Sequence, residues 1–330
     1  MLNSIATPNT DFVFMIEQAL KAPSGHNTQP WLFTINAESV LICPDYSKAL
    51  PVVDPDNREL FVSLGCATEN LCISATHKCY EPTVYIDSTK CEIRVQLSRK
   101  EHCIVAPLFS QISSRQTNRR VYSTKIVAEE KIENLRSIAR EPKVGIHFFA
   151  RGSAKFDQIA ALVYEGNRLQ MNNSAFRSEL QQWIRYNKHH QDTTRDGLSY
   201  AVFGAPNLPR WLVRPVMAQM LNATTQNKSD KRKIESASHF VLFTTKQNNV
   251  CDWVNLGRTL ERFHLKTTEM GLAHSYMNQP NEIPQLAQKL AALLELENEY
   301  PTILLRIGYA ARIPYSLRRV PRVIEQNSCK

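Results

Sequence analysis

The stretch NRELFVSLGCATENLCISATHK, residues 57–78, constrains this chain more than any other. Leu60, Leu64, Ala67, Leu71 and Ala75 recur at helical spacing, and the run reads as a long, mostly buried helix. A helix apolar beyond one stripe needs neighbours on several sides. At 330 residues the chain can supply them as one large domain or two smaller ones. Its 43% apolar and 22% charged residues are globular values.

The neighbours can be sketched from the same rules. Thr10 or Asp11 caps a first helix, which Pro23 ends. WLFTI and VLICP read as a hairpin, and TVYID and EIRVQL as a second strand pair. IVAPLFSQI reads as a short apolar helix. A second half opens near Ser113 with helices expected over 128–140, 153–170 and 174–188 and strands at VGIHFFA, SHFVLFTT, AHSYM and TILLRIG. CDWVNLGRTLERFHLKTTEMG is an amphipathic helix with Gly271 suited to its C′ position, and NEIPQLAQKLAALLEL is another helix. Pro, Gly and exposed-looking aromatics make 189–235 an irregular segment, with 189–225 a possible lid. Strands and helices do not alternate as βαβ units, so the expected class is α+β, in two halves, 1–112 and 113–330.

Several functions are disfavoured. The net charge of +9, from 40 Lys+Arg against 31 Asp+Glu, favours anionic partners only where the excess is localised. SDKRKIES (229–236) reads as a solvated loop, and no aromatics interleave with it or with RIPYSLRRVPR (312–322), so no nucleic-acid role is expected. The N-terminus lacks the pattern of a signal peptide, and no run approaches the roughly 20 apolar residues of a membrane span. The eight cysteines show no ligand spacing and read as reduced, packed thiols of a cytoplasmic protein. No metal site is expected, and the pair His189–His190 reads as solvated. The P-loop, the G-x-G-x-x-G fingerprint and the G-x-S-x-G elbow do not occur.

Two runs carry chemistry. In KAPSGHNTQPWLF (21–33), Pro23 fixes φ, Gly25 opens backbone space, and Ser24, Asn27, Thr28 and Gln29 bring donors and acceptors. The run admits two readings, a capped turn or a surface that presents hydrogen bonds to the polar edge of a planar ring. In SRQTNRR, Arg115, Thr117 and Arg119 alternate along one extended segment. There they could meet the oxygens of one phosphate or form a solvated basic linker. Arg318 and Arg319 repeat the theme near the C-terminus.

Together these runs resemble a known family. APSGHNTQPW is similar to the A-P-S-x-x-N-x-Q-P-W motif of the flavin-dependent nitroreductases, and RQTNR to their R-x-S-x-R segment. GLAHSYMNQP (271–280) sits where that family has its flavin-contacting strand. R-x-T-N-R-R, G-L-A-x-S-x-x-N-Q-P, L-R-I-G-Y and a final R-R resemble the long, single-chain Acg-like branch. The resemblance spans roughly 10–325 and is weakest at 150–235.

The resemblance implies a nitroreductase-like fold in which each half has an antiparallel-type sheet flanked by helices. Ordinary members carry the arginine segment before the A-P-S loop and pair two subunits. Here the loop lies in the first half and the arginines in the second, which implies an internal pseudo-dimer with one FMN per chain and the second site lost. Its implied cofactor contacts are Pro23, Ser24, Gly25, Asn27 and Gln29 from the loop and Arg115, Thr117 and Arg119 from the arginine segment. Met277, Asn278 and Gln279 are added beside the ring, and Arg318 and Arg319 from the tail. No catalytic side chain is implied, because the flavin carries the hydride chemistry. The implied partners are NAD(P)H and a small nitroaromatic, quinone or similar acceptor. The implied state is a monomeric pseudo-dimer or a homodimer. Asn278 and Gln279 replace a Glu-Gly pair, which leaves open a non-enzymatic, flavin-sequestering protein.

Overall fold

The computed structural model describes residues 9–321 and 323–325, so the reading of the first eight residues and of Cys329 lies outside the described residues. The first half begins with α1 (Thr10–Ala19), where the Asn9 side chain accepts a hydrogen bond from Asp11 N at 2.9 Å. The hairpin β1 (Trp31–Ile35) and β2 (Ser39–Pro44) follows, then α2 (Arg58–His77). Asn57 is left-handed and its side chain caps nothing; Asp54 instead accepts from Glu59 N at 3.1 Å and Leu60 N at 2.9 Å. A second hairpin, β3 (Tyr80–Asp87) and β4 (Glu92–Arg99), completes this half.

The second half runs α3 (Glu129–Arg136), β5 (Val144–Ala150), α4 (Ala154–Asn172), α5 (Ser174–Trp183), β6 (Ile184–Arg185), α6 (Lys188–Thr194) and β7 (Leu198–Ser199). It continues with α7 (Arg210–Met220), α8 (Ala223–Ser236), β8 (His239–Thr245), α9 (Val250–Glu269), β9 (Ala273–Tyr276) and α10 (Gln279–Glu282). It ends with α11 (Pro284–Leu293), β10 (Tyr300–Gly308) and β11 (Val323–Glu325). One sheet has the order β11-β1-β2-β4-β3 and the other β5-β8-β10-β9. All pairings in them are antiparallel except β11 against β1, which carries the end of the chain back to the first half. The class is α+β, in agreement with the sequence.

β8 shows how the layers form. Its seven residues are all buried, and alternation sends Val241 and Phe243 to one core and Phe240 and Leu242 to the other. The larger core contains α2 and α9, and residues of both sheets pack on that helix pair. Each large apolar side chain buried there contributes roughly 1.5–3 kcal/mol. α2 and α9 cross at Gly65 and Gly257. A Cβ on Gly65 would lie 2.2 Å from Val254 O, and one on Gly257 would lie 2.1 Å from Val62 O. The backbones meet because neither residue has a side chain.

Three expectations need correction. The stretch 189–235 is mostly helical rather than irregular, because Asn187 and Asn222 cap α6 and α8 through their side chains. The helix expected over 174–188 stops at Trp183, since Ile184 and Arg185 pair in parallel with Leu198 and Ser199. The cysteines are not all reduced thiols: Cys79 and Cys103 form a disulfide with their Cα atoms 4.5 Å apart. Cys66 and Cys72 are free and buried, as their apolar settings imply. No helix among the described residues is long and apolar enough to cross a membrane, and no metal-ligating cluster occurs among them.

Candidate functional site

The loop after α1 is a 3-10 turn, Gly25–Asn27, entered from an extended Ser24. His26, Asn27 and Gln29 have φ of 49°, 57° and 55°, a left-handed conformation that costs side-chain-bearing residues about 1–2 kcal/mol each. Hydrogen bonds from both halves hold it. Asn27 Nδ2 donates to Gly197 O and Leu317 O, each at 3.2 Å, and Gln29 Nε2 donates to Arg195 O at 2.9 Å. Ser24 Oγ accepts from Gln29 N at 3.0 Å.

Arg318 and Arg319 serve this loop. Arg318 Nη1 donates to Asn27 Oδ1 at 2.8 Å, and its other nitrogens donate to the carbonyls of Leu20, Lys21 and Ala22. Arg319 N donates to Gln29 Oε1 at 2.8 Å, and its guanidinium donates to Gln29 O at 2.6 Å and to Thr28 O. These cations satisfy carbonyls left open by the end of α1 and the turn. Burial and the charge of Arg115 pull Arg318 down to about 9.

The arginine segment lies along the edge of β9. Thr117 bridges His274 in parallel, and Asn118 N donates to His274 O at 2.9 Å. The extended backbone puts Arg115, Thr117 and Arg119 in one row facing the loop. Arg115 is buried; its Nη2 donates to Lys21 O at 2.5 Å and its Nε stands 3.4 Å from Glu261 Oε1. The Arg119 guanidinium makes no hydrogen bond or ion pair among the described residues. Burial draws it below its ordinary value. Burial and Arg119 together hold His26 down to about 4, so it is neutral at physiological pH.

Between loop and arginine row lies a cavity of about 190 Å³. Pro23, Ser24, Gly25, Asn27, Arg115, Thr117, Arg119, Asn278 and Arg318 line it. Gln29, Met277, Gln279 and Arg319 do not. Met277 is packed in the smaller core and Gln279 Nε2 donates to Asn167 Oδ1 at 3.0 Å, so both are engaged away from the cavity that Asn278 lines. Leu198 and Val202, from the possible lid segment, line one side of the cavity.

Sequence reasoning missed Glu59, Cys66, Tyr276 and Glu282, all of which line the cavity. Glu59 and Glu282 face each other; burial pushes Glu59 well above the carboxylate range and Glu282 up to about 7. Tyr276 backs onto a buried set in which His264 Nδ1 lies 3.2 Å from Glu261 and His264 and His274 stack at 4.2 Å. One signal was available: V-x-L-G-x-x-x-E occurs at both 62–69 and 254–261. Gly65 and Gly257 are its glycines, and Phe61 stacks on Trp253, the residues that precede the two copies.

Residues 112–309 match the model of the nitroreductase family. The chain belongs to that family. The match begins beside the arginine row and covers more than half of the 330 residues. Among curated proteins, this nitroreductase-family chain is 25% identical over 302 residues to Mycobacterium tuberculosis Rv3131, provisionally named an NAD(P)H nitroreductase. That alignment covers 88% of this chain and 83% of the relative. Among solved structures, the FMN-dependent nitroreductase NfnB from Mycobacterium smegmatis in complex with NADPH aligns with a TM-score of 0.40 at 14% identity. It covers 62% of this chain and 91% of NfnB. An iodotyrosine deiodinase bound to FMN and 3-iodo-L-tyrosine aligns with a TM-score of 0.42 at 12% identity, over 67% of this chain and all of that one.

Proposed function

We propose that the chain binds one FMN in the cavity between its halves and acts as a flavin oxidoreductase. It would draw hydride from NAD(P)H and reduce a nitroaromatic, quinone or similar small acceptor. The observation that carries this reading is Arg119, a half-buried guanidinium with no protein partner among the described residues, aimed with Thr117 into a cavity opposite the loop. A cation so placed fits an anionic group, and a charged hydrogen bond there contributes roughly 1.5–3 kcal/mol.

Bound FMN supplies the hydride-carrying ring. The chain's part is to hold it. Ser24 Oγ accepts from Gln29 N, which leaves its O–H to donate into the cavity. Asn27 and Arg318 keep the loop in its left-handed form, and Arg119 and Thr117 supply charge and a hydroxyl. The doubled V-x-L-G-x-x-x-E segment, with its two glycines at the crossing, supports an internal pseudo-dimer with halves divided near 112. The R-x-T-N-R-R and N-Q-P motifs are what supports a reading within the Acg-like branch.

One observation favours a second reading, a flavin-binding protein without turnover. The cavity volume of about 190 Å³ is below the 300–1,000 Å³ usual for cofactor and substrate sites. Asn278, the 314–316 segment and the Leu198–Val202 wall narrow it. A visible spectrum of the purified protein, followed by NADH or NADPH without oxygen, separates the readings. Yellow protein that bleaches is the oxidoreductase, yellow protein that stays yellow is the binder, and colourless protein that FMN cannot reconstitute overturns both.

A further inference from the structure

Two carboxyl groups on the cavity wall have no part in holding the loop or the arginine row. Glu59 lies in the first turn of α2, and Glu282 ends α10. Both line the cavity, and the charge of Glu282 bears directly on Glu59. Asn278 Nδ2 donates to Glu59 Oε1 at 2.7 Å, and Gln170 Nε2 donates to Glu282. The other titratable or charged groups that face the pair are Asp54, Arg58 and Tyr276. Burial keeps Tyr276 neutral, and Arg58 is the cation that acts on all three carboxyl groups. Arg58 Nη2 also donates to Asn281 O at 2.7 Å. Asp54 has both oxygens occupied by the backbone of α2.

Like charges in contact inside a protein do not both ionise. Two adjacent carboxyl groups then keep one proton between them. The cavity gives that proton an outlet.

We propose that Glu59 and Glu282 hold one shared proton and deliver it to the acceptor reduced in the cavity, a role that rests on the flavin reading above. A quinone becomes a hydroquinone by gaining one hydride equivalent and one proton. The hydride equivalent comes from NAD(P)H, and the proton reaches the second quinone oxygen as a carboxyl O–H bond breaks. The pair is left as two carboxylates and takes its proton back from water.

The test has two arms. In the first, ¹³C NMR of protein labelled at glutamate carboxyls follows the titration of the protein as purified. The pair should give a midpoint near the neutral range that disappears in the double variant Glu59→Gln/Glu282→Gln, while the titration of Glu261 stays. Only ordinary carboxylate midpoints in this pair overturn the shared proton, whatever the flavin does. In the second arm, bleaching by NAD(P)H and reoxidation by a soluble quinone are timed separately. The ratio of reoxidation to bleaching rates should fall about 100-fold in the double variant, the scale of general-acid catalysis. Glu282→Asp, which restores an acid, should recover most of it, with a shifted pH profile. An unchanged ratio in the double variant overturns the donor role. Absence of bleaching in the wild type overturns the hydride reading and the donor role with it, while the NMR arm still decides the shared proton.

Discussion

The two ends of the α2–α9 crossing are built from the same repeat and have opposite fates. Laying Gly65 on Gly257 sets Glu69 against Glu261, Cys66 against Arg258 and Asn70 against Arg262. At the Glu69 end the arginines fill the space. Arg258 Nε lies 3.1 Å from Glu69, Arg262 Nε 2.6 Å from it, and both reach Glu141 at 3.0 Å and 2.6 Å. At the Glu261 end the counterparts are small, and the cation that pairs with Glu261, Arg115, comes from elsewhere and stands 3.4 Å away. Arg115 Nε and His274 Nε2 are left there without a hydrogen-bond partner among the described residues. A satisfied buried network makes a rigid plug, while a half-satisfied one carries unmet polar groups. The cavity lies at the unsatisfied end.

That difference can be broken by transplant. Cys66→Arg with Asn70→Arg gives the open end the side chains of the closed one. FMN retention should be abolished, a loss beyond about 100-fold, or roughly 2.7 kcal/mol, in a reconstitution titration. Binding that survives in a folded protein would show that the arginines are not what closes the second end. Glu69→Ala leaves Arg258 and Arg262 sharing one carboxylate. It should cost about 3 kcal/mol in urea unfolding, the low end for a broken buried pair, with flavin retention unchanged. Arg119→Ala should do the reverse, weakening FMN retention by roughly 10-fold or more with no shift of the urea midpoint.

A further effect is a pH dependence at the open end. Burial raises the folded Glu261 from 4.5 to about 7, against the pull of Arg115. The folded state therefore binds more protons than the unfolded chain across that window, and stability falls as pH rises through it. Glu261→Gln should flatten that fall in urea midpoints measured between about pH 4.5 and 7. His26 acts in the opposite sense, since its folded value is depressed to about 4 and stability drops as pH falls below 6.5.

Much of the frame was legible because it rests on local periodicity. α2 and α9 follow from apolar spacing, and both hairpins from alternation around turn residues. The loop and the arginine row were legible as candidate site elements, and the cavity lies between them. Arg318 and Arg319 show the limit. A guanidinium reads alike in sequence whether it meets a ligand or the carbonyls of Leu20 and Thr28. The helices of 189–235 were hidden because Pro and Gly dominated the reading and the capping asparagines did not.

By itself the sequence determined the class of fold, the buried helix pair and the two motifs, because each depends on residues within a turn or two of one another. Tertiary structure alone decided which candidates share a cavity and which are braces. It also brought Glu59 to Glu282, and Arg115 rather than Arg258 to Glu261 and its cavity. Such pairings are set by how distant segments close on a glycine crossing, and the desolvation that shifts their protons exists only once the chain has closed around them.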